Sequence, residues 1–335
     1  MKVLVVKRDK IGDLLLTTPM LAHLKASRPQ AEVHVLANDY NAWVVERNRH
    51  IDRLWVYRRV RHAGRVRLGA AVQNVWLNFA LKRQRYDWVI VGNGEESPRA
   101  VARARSVGGK RTVAYAKNVS DPLPPAPQMH EVDRLIALLD PLGIAPPSGV
   151  LFPQYILPPA SAAFATGWLQ ERQLKDYVVL GLGARRQKKQ PTTEQVLRWT
   201  AHFKGAWNLD TVFMWTPGRS DDPLYPGDDD VAQPVLDARL PYIHPFRGPI
   251  PEALGLIWRA RTSIFPDSGL MHFAAASPGG VVGLFAESSV SPGPVNWAPC
   301  GPRADWLEAE KSVAELADAQ VYERVGRFVE PLVSP

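Results

Sequence analysis

The chain has 335 residues, room for two domains of ordinary size, and its 46% apolar content is that of a globular protein. No stretch nears the roughly 18 to 20 uninterrupted apolar residues of a membrane span, and a single cysteine, Cys300, excludes disulfides and multi-cysteine metal sites within the chain. The net charge of +8 is unevenly placed: residues 47–111 hold 16 Lys or Arg against four acids, Asp52, Asp87, Glu95 and Glu96, a local net of +12 that leaves −4 for the remainder.

The first element is Val3-Leu4-Val5-Val6, a continuous apolar run typical of a buried parallel strand. It begins almost at once, with no charged-then-apolar leader, so a reducing cytoplasm is the expected compartment. Lys7-Arg8-Asp9-Lys10-Ile11-Gly12-Asp13 follows, and then a helix. Thr18 suits its cap and Pro19 its first position; Met20, Leu21 and Leu24 share one face, and Arg28-Pro29 stops it. Gly12 is expected where the backbone turns sharply, and Asp13 at the carboxyl end of the strand, where open α/β sheets bind ligands. A carboxylate there can take a proton from a substrate hydroxyl, or it can simply brace the turn. This segment alone leaves both readings open.

Further strands are predicted at Val33-His34-Val35-Leu36, Trp88-Val89-Ile90-Val91 and Thr112-Val113-Ala114-Tyr115. Between the first and second of these lie the basic clusters Arg58-Arg59 and Arg61, Arg65 and Arg67, Lys82-Arg83 and Arg85, interleaved with Trp55, Tyr57 and Trp76. Such asymmetry fits a solvated surface or an anionic partner: a membrane face, an acidic substrate or a nucleic acid. No nucleic-acid-binding motif accompanies the charge, so nucleic acid is not expected. A proline-rich loop at residues 122–127 precedes a helix over Glu131 to Leu139, and a second proline-rich passage, Pro146-Pro147 through Pro158-Pro159, reads as an interdomain linker. Beyond it the alternation restarts. Strands are predicted at residues 177–182, 211–215, 263–265 and 281–285, with helices near 194–204, 252–261, 268–276 and 313–328. Two doubly wound α/β domains follow, 1–155 and 165–315, with a C-terminal helix in 316–335 expected to pack back on the first.

Near the far end, a buried strand runs into Pro266-Asp267-Ser268-Gly269-Leu270-Met271-His272-Phe273 and an alanine run. Asp267 or Ser268 caps the helix that starts there, leaving the amides of Ser268 to Met271 as donors at its positive end, a seat for a diphosphate. Gly269 permits close approach of a ligand, and His272 is one turn away.

These residues resemble a family. Ile11-Gly12-Asp13 with Thr18-Pro19, and Asp267-Ser268-Gly269-Leu270-Met271-His272 with its alanines, are similar to the two hallmark segments of glycosyltransferase family nine, the bacterial lipopolysaccharide heptosyltransferases. Leu284-Phe285, the segment Trp297-Ala298-Pro299-Cys300-Gly301-Pro302 and the loop Arg247-Gly248 also resemble family features. The resemblance implies a GT-B fold, two Rossmann-like domains facing across a cleft. It also implies a nucleotide-sugar donor, ADP-heptose, held mostly by the second domain, and an acidic lipid-linked oligosaccharide acceptor held by the first. Transfer inverts the anomeric carbon without a bound metal or further cofactor. Asp13 falls on the family's proposed base, beside Gly12. Asp267 through His272 fall on its nucleotide loop and Gly248 on its glycine loop. Lys188, three residues ahead of Pro191, falls on its phosphate-contacting lysine, with Arg185, Arg186 and Lys189 close by. The family's usual Trp before that proline is here Gln190.

Gly12, Arg58, Arg59 and Arg61 are then the expected acceptor contacts, and the three arginines also dock the protein peripherally, without insertion, on the anionic inner membrane surface. Two other classes share the same fold and phosphate seat: a nucleotide-sugar 2-epimerase-like enzyme, and a sugar-binding family member that has lost its chemistry.

Overall fold

The computed structural model describes residues 1–59, 61–62, 65–66, 68–183, 186–222, 226–290 and 293–329. The chain divides into two compact units, Met1–Ile156 and Leu157–Pro335.

The first unit begins with β1 (Lys2–Val6), a short helix α1 (Ile11–Leu15), α2 (Thr18–Ser27), β2 (Glu32–Asn38) and β3 (Arg53–Tyr57). A two-stranded hairpin, β4 (Arg61–His62) with β5 (Arg65–Val66), leads into α3 (Leu68–Arg83). Then come β6 (Trp88–Val91), α4 (Pro98–Val107), β7 (Arg111–Ala114), β8 (Asp121–Pro122) and α5 (Glu131–Ala137). The six long-range strands form one parallel sheet in the order β3-β2-β1-β6-β7-β8.

The second unit repeats the plan. It runs α6 (Pro159–Glu171), β9 (Tyr177–Gly181), α7 (Thr193–Trp207), β10 (Asp210–Met214), α8 (Asp229–Asp237), β11 (Ile243–Phe246) and α9 (Ile250–Arg259). It continues with β12 (Ser263–Pro266), α10 (Gly269–Ala275), β13 (Val281–Ala286), a single turn α11 (Pro294–Trp297), β14 (Ala304–Ala309) and α12 (Asp318–Val329). Its sheet, also parallel, has the order β11-β10-β9-β12-β13-β14. Both orders reverse direction once, beside the first strand of each sheet. In doubly wound sheets the crevice outside the carboxyl ends at that reversal receives the ligand.

The central strands are the apolar runs expected. Val3 to Val6 and Val178 to Leu180 are fully buried, because helices cover both faces of a parallel sheet. The edge strands are not expected from the sequence, and several other expectations are corrected. β3 and β14 alternate exposed and buried residues, and β11 contains Pro245, tolerated because β11 is an edge strand. Gly12 does not mark a turn; it lies inside α1. Thr17, not Thr18, is the cap position of α2, and the Thr18 hydroxyl instead donates to the Leu15 carbonyl at 2.8 Å. The proline-rich passage ends where α6 starts, at Pro159.

The last helix starts at Asp318, later than the apolar pattern suggests. Val321, Val325 and Val329 are buried in the second unit's own core, against α7 and β14. Asp318 fastens it there. Its carboxylate accepts from Arg198 Nε at 2.5 Å and from the indole N–H of fully buried Trp199 at 2.7 Å. The Arg198 hydrogen bond is the main force holding the Asp318 carboxyl below the usual aspartate range. This contribution is therefore present above the ordinary aspartate pKa of about 4 and is lost as pH falls through the lower folded value. Asp318→Ala strands the Trp199 donor, so urea titration at neutral pH should show a loss of about 2 kcal/mol that shrinks in acid. An unchanged midpoint would remove Asp318 as the fastening of α12.

Candidate functional site

In the second unit, the loops leaving β9 and β12 meet at the reversal of strand order. Gly181, the last residue of β9, has no room for a side chain: a Cβ there would collide with the Phe265 ring of β12. The chain leaving β9 then forms a 3-10 turn, Gln187–Lys189, whose two lysines diverge. Lys188 is largely exposed and pairs with Glu287 Oε1 at 3.0 Å, where Arg186 also approaches at 3.8 Å. Lys189 points inward, only 5% exposed, and its Nζ lies 2.6 Å from Asp267 Oδ2. The family resemblance implies Lys188, yet it is Lys189 that the turn delivers to the Asp267 loop. Arg185, also expected here, lies outside the described residues.

The Asp267 amide donates to the Leu284 carbonyl at 3.0 Å, and its carboxylate pairs with Lys189. Ser268 is the cap of α10, its Oγ accepting from the Met271 amide at 3.4 Å. The expectation of four open amides is thus reduced. Met271's amide serves the cap, and among the described residues the donors left open are those of Ser268, Gly269 and Leu270. Met271 and His272 send their side chains into the core: Met271 is fully buried, and His272 sits with its ring 6.3 Å from that of Trp297.

The remaining family-like segments build this loop's underside. A Cβ at Gly301 would strike the Ala275 carbonyl, and one at Gly283 would crowd Met271 Sδ and Pro299. Gln190 is buried and donates to Asp228 Oδ1 at 2.5 Å; burial pushes the Asp228 carboxyl up, and Thr216 N–H at 2.7 Å opposes the shift. Gln190 therefore ties two loops together where the family usually places a Trp. Gly248 follows the edge strand β11, two strands from β9. Asp221 is exposed and engaged by Arg219 at 2.8 Å.

In the first unit the corresponding reversal holds Asp13. It lies in α1, half-buried, and its Oδ2 accepts from the Lys10 amide at 2.9 Å, while Oδ1 has no hydrogen bond among the described residues. Gly12 beside it is buried. The bracing role is therefore real, and it occupies one carboxylate oxygen of two.

Beneath Asp13 lies a cluster that sequence reading does not find. Lys7, Glu131 and Arg134 are all nearly fully buried. Lys7 Nζ is 3.3 Å from Asp9 and 3.8 Å from Glu131, and Arg134 is 3.5 Å from Glu131. Asn93, just past β6, donates to Asp9 at 2.5 Å, and the Gly94 amide to Glu131 at 3.2 Å. Gly94 is required, because a Cβ there would collide with the Glu131 carboxylate. Burial pushes the Glu131 carboxyl up, opposed by Lys7 and Arg134 and reinforced by the charge of Asp13. A charged pair three residues apart among the apolar positions of α5 was the available signal. From this cluster Gly94 and Arg134 lead to a cavity of about 570 Å³ at the ends of β6, β7 and β8, walled by Tyr115, Lys117 and the prolines 122–127.

The basic field is only partly available. Arg59 Nε pairs with Asp39 at 2.8 Å, and Lys110 with Asp87 at 2.7 Å; Arg111 pairs with Asp121. Arg58 is exposed, and its backbone is bonded to Asn74 of α3. The side chain of Arg61 is outside the described residues. Among the described residues no three of His, Cys, Asp and Glu gather as metal ligands, and no helix is long and apolar enough to cross a membrane.

No family model matches the sequence, and no curated protein sequence is significantly similar to it. Solved structures are similar over the whole length. A family 9 glycosyl transferase from Veillonella parvula DSM 2008 superposes with a TM-score of 0.77 at 19% identity, covering 98% of this chain and 97% of that one. The chain has the GT-B fold of these glycosyltransferases. The E. coli ADP-heptose lps heptosyltransferase II gives 0.76 at 17% identity, with 98% of both chains covered. The E. coli heptosyltransferase WaaC with ADP gives 0.72 at 17% identity over 98% of this chain and 99% of that one. At such identities the likeness concerns the fold, and the chemistry has to be argued from the residues just described.

Proposed function

We propose that this chain is an inverting glycosyltransferase that moves heptose from ADP-heptose to a hydroxyl of an acidic, lipid-linked oligosaccharide such as a lipopolysaccharide core. The observation that carries the reading is Lys189: a buried ammonium at the strand-order reversal of the second unit, 2.6 Å from Asp267 and next to the open start of α10. A cation beside open backbone donors suits a diphosphate. On this reading Asp13 takes the proton of the acceptor hydroxyl as its oxygen attacks the anomeric carbon opposite the leaving group. The carbon–oxygen bond to the nucleoside diphosphate breaks, and Lys189, supported by Lys188, Arg186 and the amides of Gly269 and Leu270, takes up the developing charge. No metal is part of this scheme. Arg58 and its neighbours attract the acceptor's carboxylates and phosphates.

The structures similar to this chain include ones whose names specify ADP-heptose or ADP, which is why that donor comes first. A donor screen tests the reading: purified protein is given ADP-heptose, and separately UDP-sugars, with and without a lipid-linked acceptor, and nucleotide release is followed. Acceptor-dependent release of ADP is the expected result. Hydrolysis or epimerisation without acceptor would assign the 2-epimerase-like class, and binding without turnover a sugar-binding protein that has lost its chemistry. Release only from a UDP-sugar would keep the transfer and overturn the donor.

A further inference from the structure

Helix α3 is apolar on both sides. Ala70, Leu77, Ala80 and Leu81 face inward, toward β3 and α4. On the outside Val72, Val75, Trp76 and Phe79 are 59%, 68%, 70% and 55% exposed. Their spacing of i, i+3, i+4 and i+7 aligns them in one stripe along the helix. Scattered exposed apolar residues are ordinary, whereas a contiguous stripe ending in two large aromatics marks a surface that something covers. A helix facing only water would present charged residues there.

The surroundings say what covers it. From Arg58 to Arg85 the chain carries eight Lys or Arg and no acid. Lys82 and Arg83 close the last turn of α3, with the Arg83 guanidinium 5.5 Å from the Phe79 ring centroid. Arg58 is tied to the same helix through Asn74. Arg59, Lys110 and Arg111 have acidic partners, but among the described residues Arg58, Lys82, Arg83 and Arg85 have none. An apolar stripe flanked by unneutralised cations is complementary to a bilayer with anionic headgroups: chains below, phosphates beside.

We propose that α3 docks on an anionic membrane, lying in the interface with Val72, Val75, Trp76 and Phe79 immersed below the headgroups and Lys82, Arg83 and Arg58 at the phosphates. Docking by charge alone, without insertion, is thereby replaced by shallow insertion of a named helix. The inference rests on the proposed function only in the lipid-linked acceptor, and its test needs no catalysis.

Flotation with vesicles of phosphatidylglycerol and phosphatidylethanolamine, against phosphatidylcholine alone, measures it on the full chain. Wild type should bind the anionic vesicles and hardly the neutral ones. Trp76→Ser with Phe79→Ser should lower partitioning by at least about tenfold, given the apolar area withdrawn from the bilayer. Because both side chains are exposed, the thermal midpoint should not move. Lys82→Gln with Arg83→Gln should weaken binding at low salt. An Asp13→Asn protein, silent in transfer, should bind vesicles as wild type does, so failure of the transferase reading leaves this measurement untouched. Unaltered binding by the aromatic variant would overturn insertion in favour of docking by charge alone. Wild type that ignores vesicles would overturn the membrane as occupant. If that protein also sediments as a dimer that the aromatic variant dissociates, the stripe is a contact between two copies.

Discussion

Replacing Asp13 with Asn should lower turnover by roughly 100-fold or more, the size expected for removal of a general base, with donor affinity and thermal midpoint unchanged. The choice of Asn matters because Asp13 already has one task. Its Oδ2 accepts the Lys10 amide at 2.9 Å and braces the start of α1. An amide oxygen can keep that bond but cannot take a proton at neutral pH. Asp13→Ala removes both functions, so it should show the same catalytic loss plus about 1 kcal/mol of stability, the usual size of a helix-start cap. Steady-state kinetics with saturating donor, set beside thermal melts of both variants, separate the roles. If Asp13→Asn turns over within a few fold of wild type, bracing is all that Asp13 does.

Much of this architecture is legible in the sequence because parallel central strands are buried on both faces and therefore read as unbroken apolar runs. The eight interior or near-interior strands announce themselves this way, from Val3-Leu4-Val5-Val6 to Val281-Val282-Gly283-Leu284-Phe285. The edges do not. β3 reads Arg-Leu-Trp-Val-Tyr and β14 Ala-Asp-Trp-Leu-Glu-Ala, half solvated and half packed, and each resembles a charged loop until its neighbour is known. α3 was hidden for a related reason. With apolar residues on both faces it has no single stripe to find, and the surrounding arginines draw attention to charge.

The site shows the same division. Asp13 and the Asp267-Ser268-Gly269 start of α10 were legible because each lies where a buried strand ends and a helix begins. The Lys7–Glu131–Arg134 cluster was not, since its members come from β1's end and from α5, far apart in sequence, and only the fold unites them. Its place is nonetheless physically consistent. Lys7 and Arg134 surround a carboxylate that burial alone would neutralise, and the rim of the cluster carries Asp9 and Asp13 toward solvent. These buried ion pairs form the floor on which Asp13 stands, and on the proposed reading a firm floor is what a base needs in order to meet a hydroxyl at one geometry.

The second large effect is expected at Lys189. Adjacent residues of a 3-10 turn point about 120° apart, so only one of Lys188 and Lys189 can face the Asp267 loop. The turn sends Lys189 inward, 5% exposed and 2.6 Å from Asp267, and leaves Lys188 62% exposed against Glu287. A fixed cation in a partly dry site is worth far more to a departing diphosphate than a mobile one in water, which would reorganise only as the charge develops. Lys189→Met keeps the aliphatic stem packed and removes only the ammonium. It should reduce turnover by roughly 100-fold or more, the loss typical of deleting a preorganised donor to a developing anion. Donor affinity measured by calorimetry should fall as well, since the ground-state diphosphate is already anionic. Lys188→Ala should change either quantity by no more than about threefold, because an exposed pair contributes at most about 1 kcal/mol. The fold should survive both changes, as the Asp267 carboxylate released by Lys189→Met retains access to water. The opposite pattern, a near-normal Lys189→Met and an inactive Lys188→Ala, would return the phosphate contact to the lysine that stands three residues before Pro191.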